Sequence, residues 1–307
     1  ATESDNLAIL GLADHGAESG RKHIVSTEIE HKAVLEPLEE LGRRGFEVTL
    51  VRPNTDGRVL ASDVLGAIRK DTLLISVMHA NNETGVVQPI DEIVAGLADH
   101  DVYLHVDAAQ SFGKEISTLK SKRIDLISIS GHKIYGPKGV GVLVARRRGY
   151  KTIPLQPLMF GGGQERGLRP GTMPVPLAVG LGVAAELAAK QHERRAKRCM
   201  DIRRTALEAL APLEPVLHGH PDSVVPHVLN ISLPGIDAEA AMVALKGIAA
   251  ISNGSACTSH SYTPSHVLEA MGLDEDQIST ALRISWCHLT EDVNWGEIRD
   301  SLMALRR

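Results

Sequence analysis

Two residues that follow apolar segments of this chain could do chemistry together. Lys133 lies in Ser130-Gly131-His132-Lys133, directly after the apolar run Ile124–Ile129 and before a turn rich in glycine and proline. A lysine in a dry environment can lose its proton and attack an aldehyde as an amine. Asp107 follows a second apolar run, Val102–Val106. This pair predicts a pyridoxal phosphate (PLP) site, in which the lysine forms a Schiff base and the aspartate pairs with the pyridine nitrogen.

The elements that would position this pair alternate between strand-like and helix-like segments from about residue 20 to 145. The predicted strands are His23–Ser26, Glu47–Val51, Thr72–Met78, Val102–Val106, Ile124–Ile129 and Val140–Ala145. The predicted helices between them are His31–Arg43, Ser62–Arg69 and Asp91–Asp99, with Ser62 and Asp91 expected as N-caps. Such alternation predicts a mainly parallel sheet covered by helices, with ligands at the carboxyl ends of its strands.

The second half of the chain has a different pattern. A Gly/Pro-rich stretch, Gly161–Thr172, precedes a long helical region, Val175–Leu210, and the remainder predicts a smaller α+β domain. We therefore expect a PLP-binding large domain over residues 1–185 and a small C-terminal domain over residues 186–307.

Composition and charge exclude several classes of protein. The chain has 307 residues and a formal net charge of −5, which gives no electrostatic reason for direct nucleic-acid binding. No apolar run reaches membrane-spanning length and no signal peptide opens the chain, so we expect no membrane attachment. The three cysteines, Cys199, Cys257 and Cys287, lack CxxC spacing. This pattern disfavours a disulfide framework or a metal site and favours the reducing cytoplasm.

Several separated motifs resemble those of the NifS-like cysteine desulfurases, which belong to the class V aminotransferases and are PLP enzymes of fold type I. The motifs are 1–6 (ATESDN), 30–34 (EHKAV), 81–85 (NNETG), 107–110 (DAAQ), 130–139 (SGHKIYGPKG), 166–172 (RGLRPGT) and 252–259 (SNGSACTS). The resemblance covers nearly the whole chain. It implies a mainly parallel sheet of the seven-stranded type in the large domain and a small α+β domain that carries a catalytic cysteine loop.

The resemblance also implies cofactor-binding roles for residues near Lys133 and Asp107. Thr2, Ser130 and His132 would bind the PLP phosphate, although Thr2 alone could be a helix cap without a ligand. By the same resemblance His31 would stack on the PLP ring and exchange protons with substrate, and Gln110 would donate to the phenolic oxygen. Taken alone, His31 could be a surface residue and Gln110 a turn residue.

Two residues are predicted to bind substrate. Asn82 follows the strand Thr72–Met78, where its amide could meet both cofactor and substrate carboxylate, but Asn81-Asn82 could equally be a plain turn. In Leu282–Trp286 the apolar residues share one strand face and Arg283 projects from the other. A guanidinium suits bidentate carboxylate binding, so Arg283 is the predicted clamp, with a solvent-facing arginine as the alternative.

The resemblance implies that Cys257 is the catalytic cysteine. It lies among small polar residues, which predict a loop that could approach the substrate and then turn to an acceptor. Cys199 and Cys287 are predicted to be inert. The resemblance implies that Thr172 reaches the phosphate of a partner subunit, and hence a homodimer.

The reaction implied is transfer of sulfur from L-cysteine to an enzyme persulfide with release of L-alanine. A sulfur-acceptor protein would then serve iron–sulfur cluster assembly or thio-modification of tRNA or DNA (phosphorothioation). Alternatives are a selenocysteine lyase, another fold type I PLP lyase or aminotransferase, or a non-catalytic scaffold for sulfur-transfer partners. Two departures stand out: Asn253 replaces the family's usual serine, and about seventy residues that precede the phosphate motif in the family are expected to be missing.

Overall fold

The computed structural model describes residues 1–220, 222–253 and 264–306. They form two compact units, each built from more than one stretch of chain. The first unit comprises Ala1–Val51, Val59–Ala80 and Gln88–His192. The second comprises Arg52–Arg58, Asn81–Val87 and Glu193–Arg307.

A mostly parallel sheet organises the first unit. Its strands are β1 (His23–Thr27), β2 (Glu47–Val51), β3 (Thr72–Met78), β4 (Tyr103–Asp107), β5 (Leu126–Ser130) and β6 (Gly141–Ala145). They are ordered β2-β1-β3-β4-β5-β6, and only β6 runs antiparallel to its neighbour. The parallel sheet expected from the alternating pattern is therefore confirmed. The described sheet has six strands, one fewer than the seven-stranded type that was expected. All six come from the apolar segments between residues 20 and 145.

Helices cover both faces of this sheet. They are α1 (Thr2–Leu10), α2 (Ala13–Ser19), α3 (Lys32–Arg43), α4 (Ala61–Gly66), α5 (Ile90–Gly96) and the first part of α6 (Val175–Leu210). Alternate residues of β1 and β3 enter opposite cores: Ile24 and Leu74 pack on one side, Val25 and Ile75 on the other. Burial on both faces explains why the central strands are apolar along most of their length.

The expected caps of α4 and α5 are wrong. The N-caps are Leu60 and Pro89, and neither uses a side-chain cap. Ser62 and Asp91 lie inside the first turn, because the backbone becomes helical before it reaches them. The carboxylate of Asp91 instead accepts a hydrogen bond from the hydroxyl of Thr118 at 2.7 Å.

The second unit is a small antiparallel sheet with helices. Its strands are β7 (Val216–Leu217), β8 (Val228–Ser232) and β9 (Ala281–Ser285), and its helices besides the end of α6 are α7 (Ala238–Ala244), α8 (His266–Ala270), α9 (Glu275–Ser279) and α10 (Trp295–Met303). One face of the sheet packs into an apolar core that includes Leu229, Ile231 and Leu282. Trp286 closes this core and donates its indole N–H to the carbonyl of Cys199 at 3.0 Å. None of the described helices is long and apolar enough to cross a membrane.

Candidate active site

Asp107 and Lys133 lie at the carboxyl ends of two adjacent parallel strands of the large sheet. Asp107 is the last residue of β4, and its register partner on β5 is Ser128. Two residues later β5 ends, and the chain enters a 3-10 turn, Gly131–Ile134, that carries Lys133. This is the edge at which ligands bind in parallel α/β sheets.

Close backbone packing fixes the turn that presents Lys133. A Cβ atom on Gly131 would lie 2.9 Å from the carbonyl oxygen of Val140, so only glycine lets β6 approach this closely. The turn ends at Tyr135, which has a left-handed φ of 68°. That conformation is uncommon for a residue other than glycine, and strained backbone of this kind is concentrated near functional sites.

Asp107 is a buried carboxylate with positively charged neighbours. Its side chain is 5% exposed, and its Oδ1 accepts a hydrogen bond from the amide of Ala109 at 2.8 Å. Burial raises the pKa of Asp107, while that hydrogen bond, His31 and Lys133 oppose the shift. A cationic ring nitrogen placed beside it would stabilise the ionised form further.

Thr2, Ser130 and His132 line one open cavity of 870 Å³ in the first unit. The hydroxyl of Ser130 lies 3.0 Å from Nδ1 of His132. Burial and the charge of Lys133 lower the pKa of His132, so its ring is favoured in the neutral form. Thr2 is the first residue of α1, with Ala1 as N-cap, and residues of this first helical turn line the same cavity. Hydroxyls and free helix amides are a donor set that fits a phosphate group.

His31 is held by the helix that it begins. It is the N-cap of α3, and its Nδ1 accepts a hydrogen bond from the amide of Ala33 at 3.1 Å. A backbone donor at Nδ1 leaves Nε2 as the nitrogen that carries the proton of the neutral ring. Gln110 is half-buried in the turn after β4, and its backbone carbonyl accepts from the Lys114 ammonium at 3.0 Å.

Asn82 and Arg283 meet in the second unit. A guanidinium N–H of Arg283 donates to the backbone carbonyl of Asn82 at 3.1 Å. Leu282 and Ile284 point into the core on either side, which turns Arg283 to the opposite face of β9 as the alternation predicted. The amide of Asn230 on β8 also donates to the carbonyl of Glu83 at 3.3 Å, so both strands hold this turn.

The segment that contains Cys257 lies outside the described residues, so its predicted role stays a prediction. The chain on either side of it is well anchored. Ser252 pairs with Arg283 of β9 through two backbone hydrogen bonds, of 2.7 and 3.2 Å. Ser265 caps α8 and donates to the buried carboxylate of Glu83. Cys199 is buried, as expected of an inert thiol, and Cys287 is half-buried.

Thr172 is exposed at the end of the glycine-rich segment of the first unit. Gly171, with a φ of 112°, donates its amide to Gln164 at 3.0 Å. Arg169 forms an ion pair with Glu3 of α1 at 2.8 Å. These contacts hold the segment against the helix that also carries Thr2.

A buried polar layer beneath Asp107 was missed by sequence reasoning. His105 lies on the same face of β4 two residues before Asp107, and its ring contacts the hydroxyls of Ser76 at 2.8 Å and Ser128 at 2.9 Å. The carboxyl of Asp5 on α1 lies 3.6 Å from Nε2 of this ring. The available signal was a polar residue inside each of three mainly apolar strands, but whether these residues meet depends on strand register.

The fold and this set of side chains define a protein of the fold type I class. The family profile described as aminotransferase class-V matches residues 1–294. The chain belongs to this family, whose members depend on pyridoxal phosphate.

Similar proteins carry related names. The chain is 48% identical over 286 residues to cysteine desulfurase IscS of Anaeromyxobacter dehalogenans. The match covers 92% of this chain and 70% of the relative. The crystal structure of DndA from Streptomyces lividans matches with 51% identity and a TM-score of 0.84, over 93% of this chain and 80% of that one. SspA, solved in complex with cysteine, matches with 39% identity and a TM-score of 0.79, over 92% and 78%.

Proposed function

We propose that this chain is a PLP-dependent cysteine desulfurase. It takes the sulfur atom of L-cysteine onto an enzyme thiol and releases L-alanine. The observation that carries the proposal is the exit of a buried carboxylate, Asp107, and an amine, Lys133, from adjacent parallel strands. The names of the similar proteins support the same chemistry.

The first unit supplies the residues that hold the cofactor and move protons. Thr2, Ser130 and His132 bind the phosphate, and Asp107 holds a proton at the pyridine nitrogen. The cofactor, when bound, accepts the electron pair left at the α-carbon of substrate. Lys133 would hold the cofactor through its aldehyde and, as a free amine, would remove the α-proton of substrate. His31 would contact the cofactor and exchange protons with substrate, and Gln110 would donate to the phenolic oxygen.

The second unit supplies substrate binding and the sulfur acceptor. Arg283 binds the substrate carboxylate with Asn82 beside it, because a guanidinium matches the two carboxylate oxygens. The thiolate of Cys257 attacks the substrate sulfur and breaks the bond between that sulfur and the β-carbon. The bond electrons stay with the carbon skeleton, which gains a proton at the β-carbon, regains one at the α-carbon and leaves as alanine. One thiol and one cysteine therefore give one persulfide and one alanine.

The active unit in this proposal is a homodimer, in which Thr172 of one chain reaches the phosphate held by the other. A row of exposed apolar residues along the first part of α6 supports a second copy as the partner. It consists of Val175, Val179, Val183 and Leu187, which are 41–60% exposed and recur every four residues on one side of the helix. Sedimentation of the enzyme tests this assembly.

The persulfide passes to a sulfur-acceptor protein. We place this enzyme in iron–sulfur cluster assembly or in thio-modification of tRNA or DNA, through an acceptor and without direct contact with nucleic acid. The proposed place of action is the reducing cytoplasm, since Cys257 must return to the thiol after each turnover.

Borohydride trapping followed by mass spectrometry tests the proposal. Reduction of the PLP-loaded enzyme should leave a pyridoxyl group on Lys133, and Lys133→Ala should abolish both labelling and turnover. Lys138→Ala, a change at the lysine that follows this turn, is the matched control and should be labelled at Lys133 as the parent is. A label on Lys138 of the parent would contradict the assignment.

The same preparations separate desulfurase activity from its alternatives. With L-cysteine, the parent should form alanine and an enzyme persulfide on Cys257. Cys257→Ser should keep the pyridoxyl label and lose the persulfide, while Cys199→Ser and Cys287→Ser should retain both. A Cys257→Ser enzyme that still forms persulfide at the parent rate would exclude the proposed mechanism, and an enzyme that turns over selenocysteine alone would be a selenocysteine lyase.

A further inference from the structure

The polar layer beneath Asp107 is closed to solvent. His105, Ser76 and Ser128 are fully buried, and Asp5 is 1% exposed. The ring of His105 is held from both sides, by Ser76 at Nδ1 and Ser128 at Nε2. Neither carboxyl oxygen of Asp5 has a hydrogen-bond partner at normal distance among the described residues, and its Oδ1 lies 3.6 Å from Nε2 of His105.

Two carboxyl groups share this dry layer. Burial, and then the charge of Asp107, raise the pKa of Asp5 to about 8, against smaller opposing effects of Ser128 and the amino group of Ala1. Burial lowers the pKa of His105 to about 3, so this ring is neutral and supplies no positive charge. Two like charges in a water-free site are mutually destabilising, so one carboxyl keeps its proton.

The other charged or titratable groups around the pair come from several elements. The residues concerned are Ala1, Glu30, His31, His105 and Lys133. His31 and Lys133 act on Asp107 and favour its anion. Glu30 accepts hydrogen bonds from Thr27 and from the amide of Met78, and burial raises its pKa to about 8. The amino group of Ala1 acts on both carboxyls, so His31 and Lys133 are the groups that favour charge on Asp107 rather than on Asp5.

We propose that Asp5 is a positioning residue for Asp107. It remains a neutral acid that donates its proton towards Nε2 of His105, beside the hydroxyl of Ser128. Asp107 is then the carboxylate of the pair that carries charge. This rests on the proposed pairing of Asp107 with the pyridine nitrogen. A neutral Asp5 fixes the His105 ring, with Nε2 as acceptor and Nδ1 donating to Ser76. It also keeps a second negative charge away from the position where Asp107 acts.

The protonation state of Asp5 can be tested on the cofactor-free enzyme. A folded-state pKa raised to about 8 from 3.8 stabilises the fold fully below pH 3.8, and this contribution is lost as pH rises to about 8. Asp5→Asn, a neutral replacement of the same size, removes this dependence. Relative to the variant, the unfolding constant of the parent should rise by up to about tenfold per pH unit in this window. Asp14→Asn, on the exposed surface of α2, is the matched control and should follow the parent.

An ionised Asp5 paired with a protonated His105 gives the opposite result. Asp5→Asn would then leave a buried imidazolium without its counter-ion, and the variant would be the less stable protein, most of all at acidic pH. A variant whose stability relative to the parent does not rise with pH overturns the proposal. This comparison requires no cofactor, so it is decided even if the proposed desulfurase activity fails.

The positioning role has its own measurement in cofactor binding. At pH 7 Asp5→Asn keeps a donor to His105 and should bind PLP within about threefold of the parent. Asp5→Ala removes the donor and should bind at least about tenfold more weakly, which corresponds to roughly 1.4 kcal/mol. Equal PLP affinity for the alanine and asparagine variants, with Asp5→Ala less stable, would show a structural role only. If Asp5→Ala does not fold, the pH profile of Asp5→Asn still decides the proposal.

Discussion

The two sheets of this protein handle polar residues in opposite ways. The large sheet is covered on both faces, yet it keeps His105, Asp107 and Ser128 buried in its centre. The small sheet buries an apolar face. Arg283 of β9 lies on the opposite face and donates a hydrogen bond to the backbone carbonyl of Asn82. Buried polar groups are costly unless they are paired, so a parallel sheet would not retain such a layer for stability alone.

The difference indicates how each unit can be altered. In the first unit Asp107, the proposed partner of the pyridine nitrogen, lies inside the structure, so a change of charge at Asp107 should affect reaction more than folding. In the second unit the inner face of the sheet packs into the core and the outer face carries Arg283, the proposed carboxylate-binding residue, so stability and substrate binding should respond to different residues.

Asp107→Asn should have the largest effect on the first unit. The amide cannot hold a proton at the pyridine nitrogen, so we expect turnover to fall by about 10³-fold. Stability should stay the same or rise, because burial of the ionised carboxyl is unfavourable in the cofactor-free protein, as the direction of its pKa shift shows. Steady-state kinetics and urea unfolding at pH 7 check both parts. A variant that loses stability but keeps turnover would reverse the comparison.

Ile231→Ala should have the matching effect on the second unit. Ile231 is fully buried on β8, and its truncation leaves a cavity, so we expect a loss of about 2–5 kcal/mol in the free energy of unfolding. PLP absorbance per folded molecule should be unchanged. Urea unfolding monitored alongside the cofactor absorbance measures this, with Leu50→Ala at the exposed edge of the large sheet as control. An equal loss in the control would mean that burial does not explain the effect.

Arg283→Lys should have the smallest effect, on substrate binding alone. Lysine keeps the charge but cannot bind a carboxylate through two parallel hydrogen bonds or reproduce the contact with the Asn82 carbonyl. We expect KM for L-cysteine to rise about tenfold to a hundredfold, with kcat and unfolding nearly unchanged. A fall in kcat at constant KM would assign Arg283 a different role.

Sequence patterns predicted the strands of the large sheet to within about two residues at each end, because apolar runs with short polar breaks are a strong local signal. They also placed Lys133 and Asp107 at strand ends. The N-caps at Ser62 and Asp91 were wrong, since a capping residue type does not determine where the backbone becomes helical. The Asp5–His105 layer could not be predicted, because it depends on the register of three strands and on how α1 packs against them.

The second unit is not one continuous stretch of chain. Residues Asn81–Val87 belong to it. Backbone carbonyls of this turn accept hydrogen bonds from the side chains of Asn230 and Arg283, and Val86 forms a β-bridge with Val224. During synthesis this turn emerges more than a hundred residues before β8 and β9, so its hydrogen bonds with Asn230 and Arg283 form only after those strands leave the ribosome. A shuffled gene that exchanges residues 193–307 alone would therefore separate the unit from part of its own hydrogen-bond network.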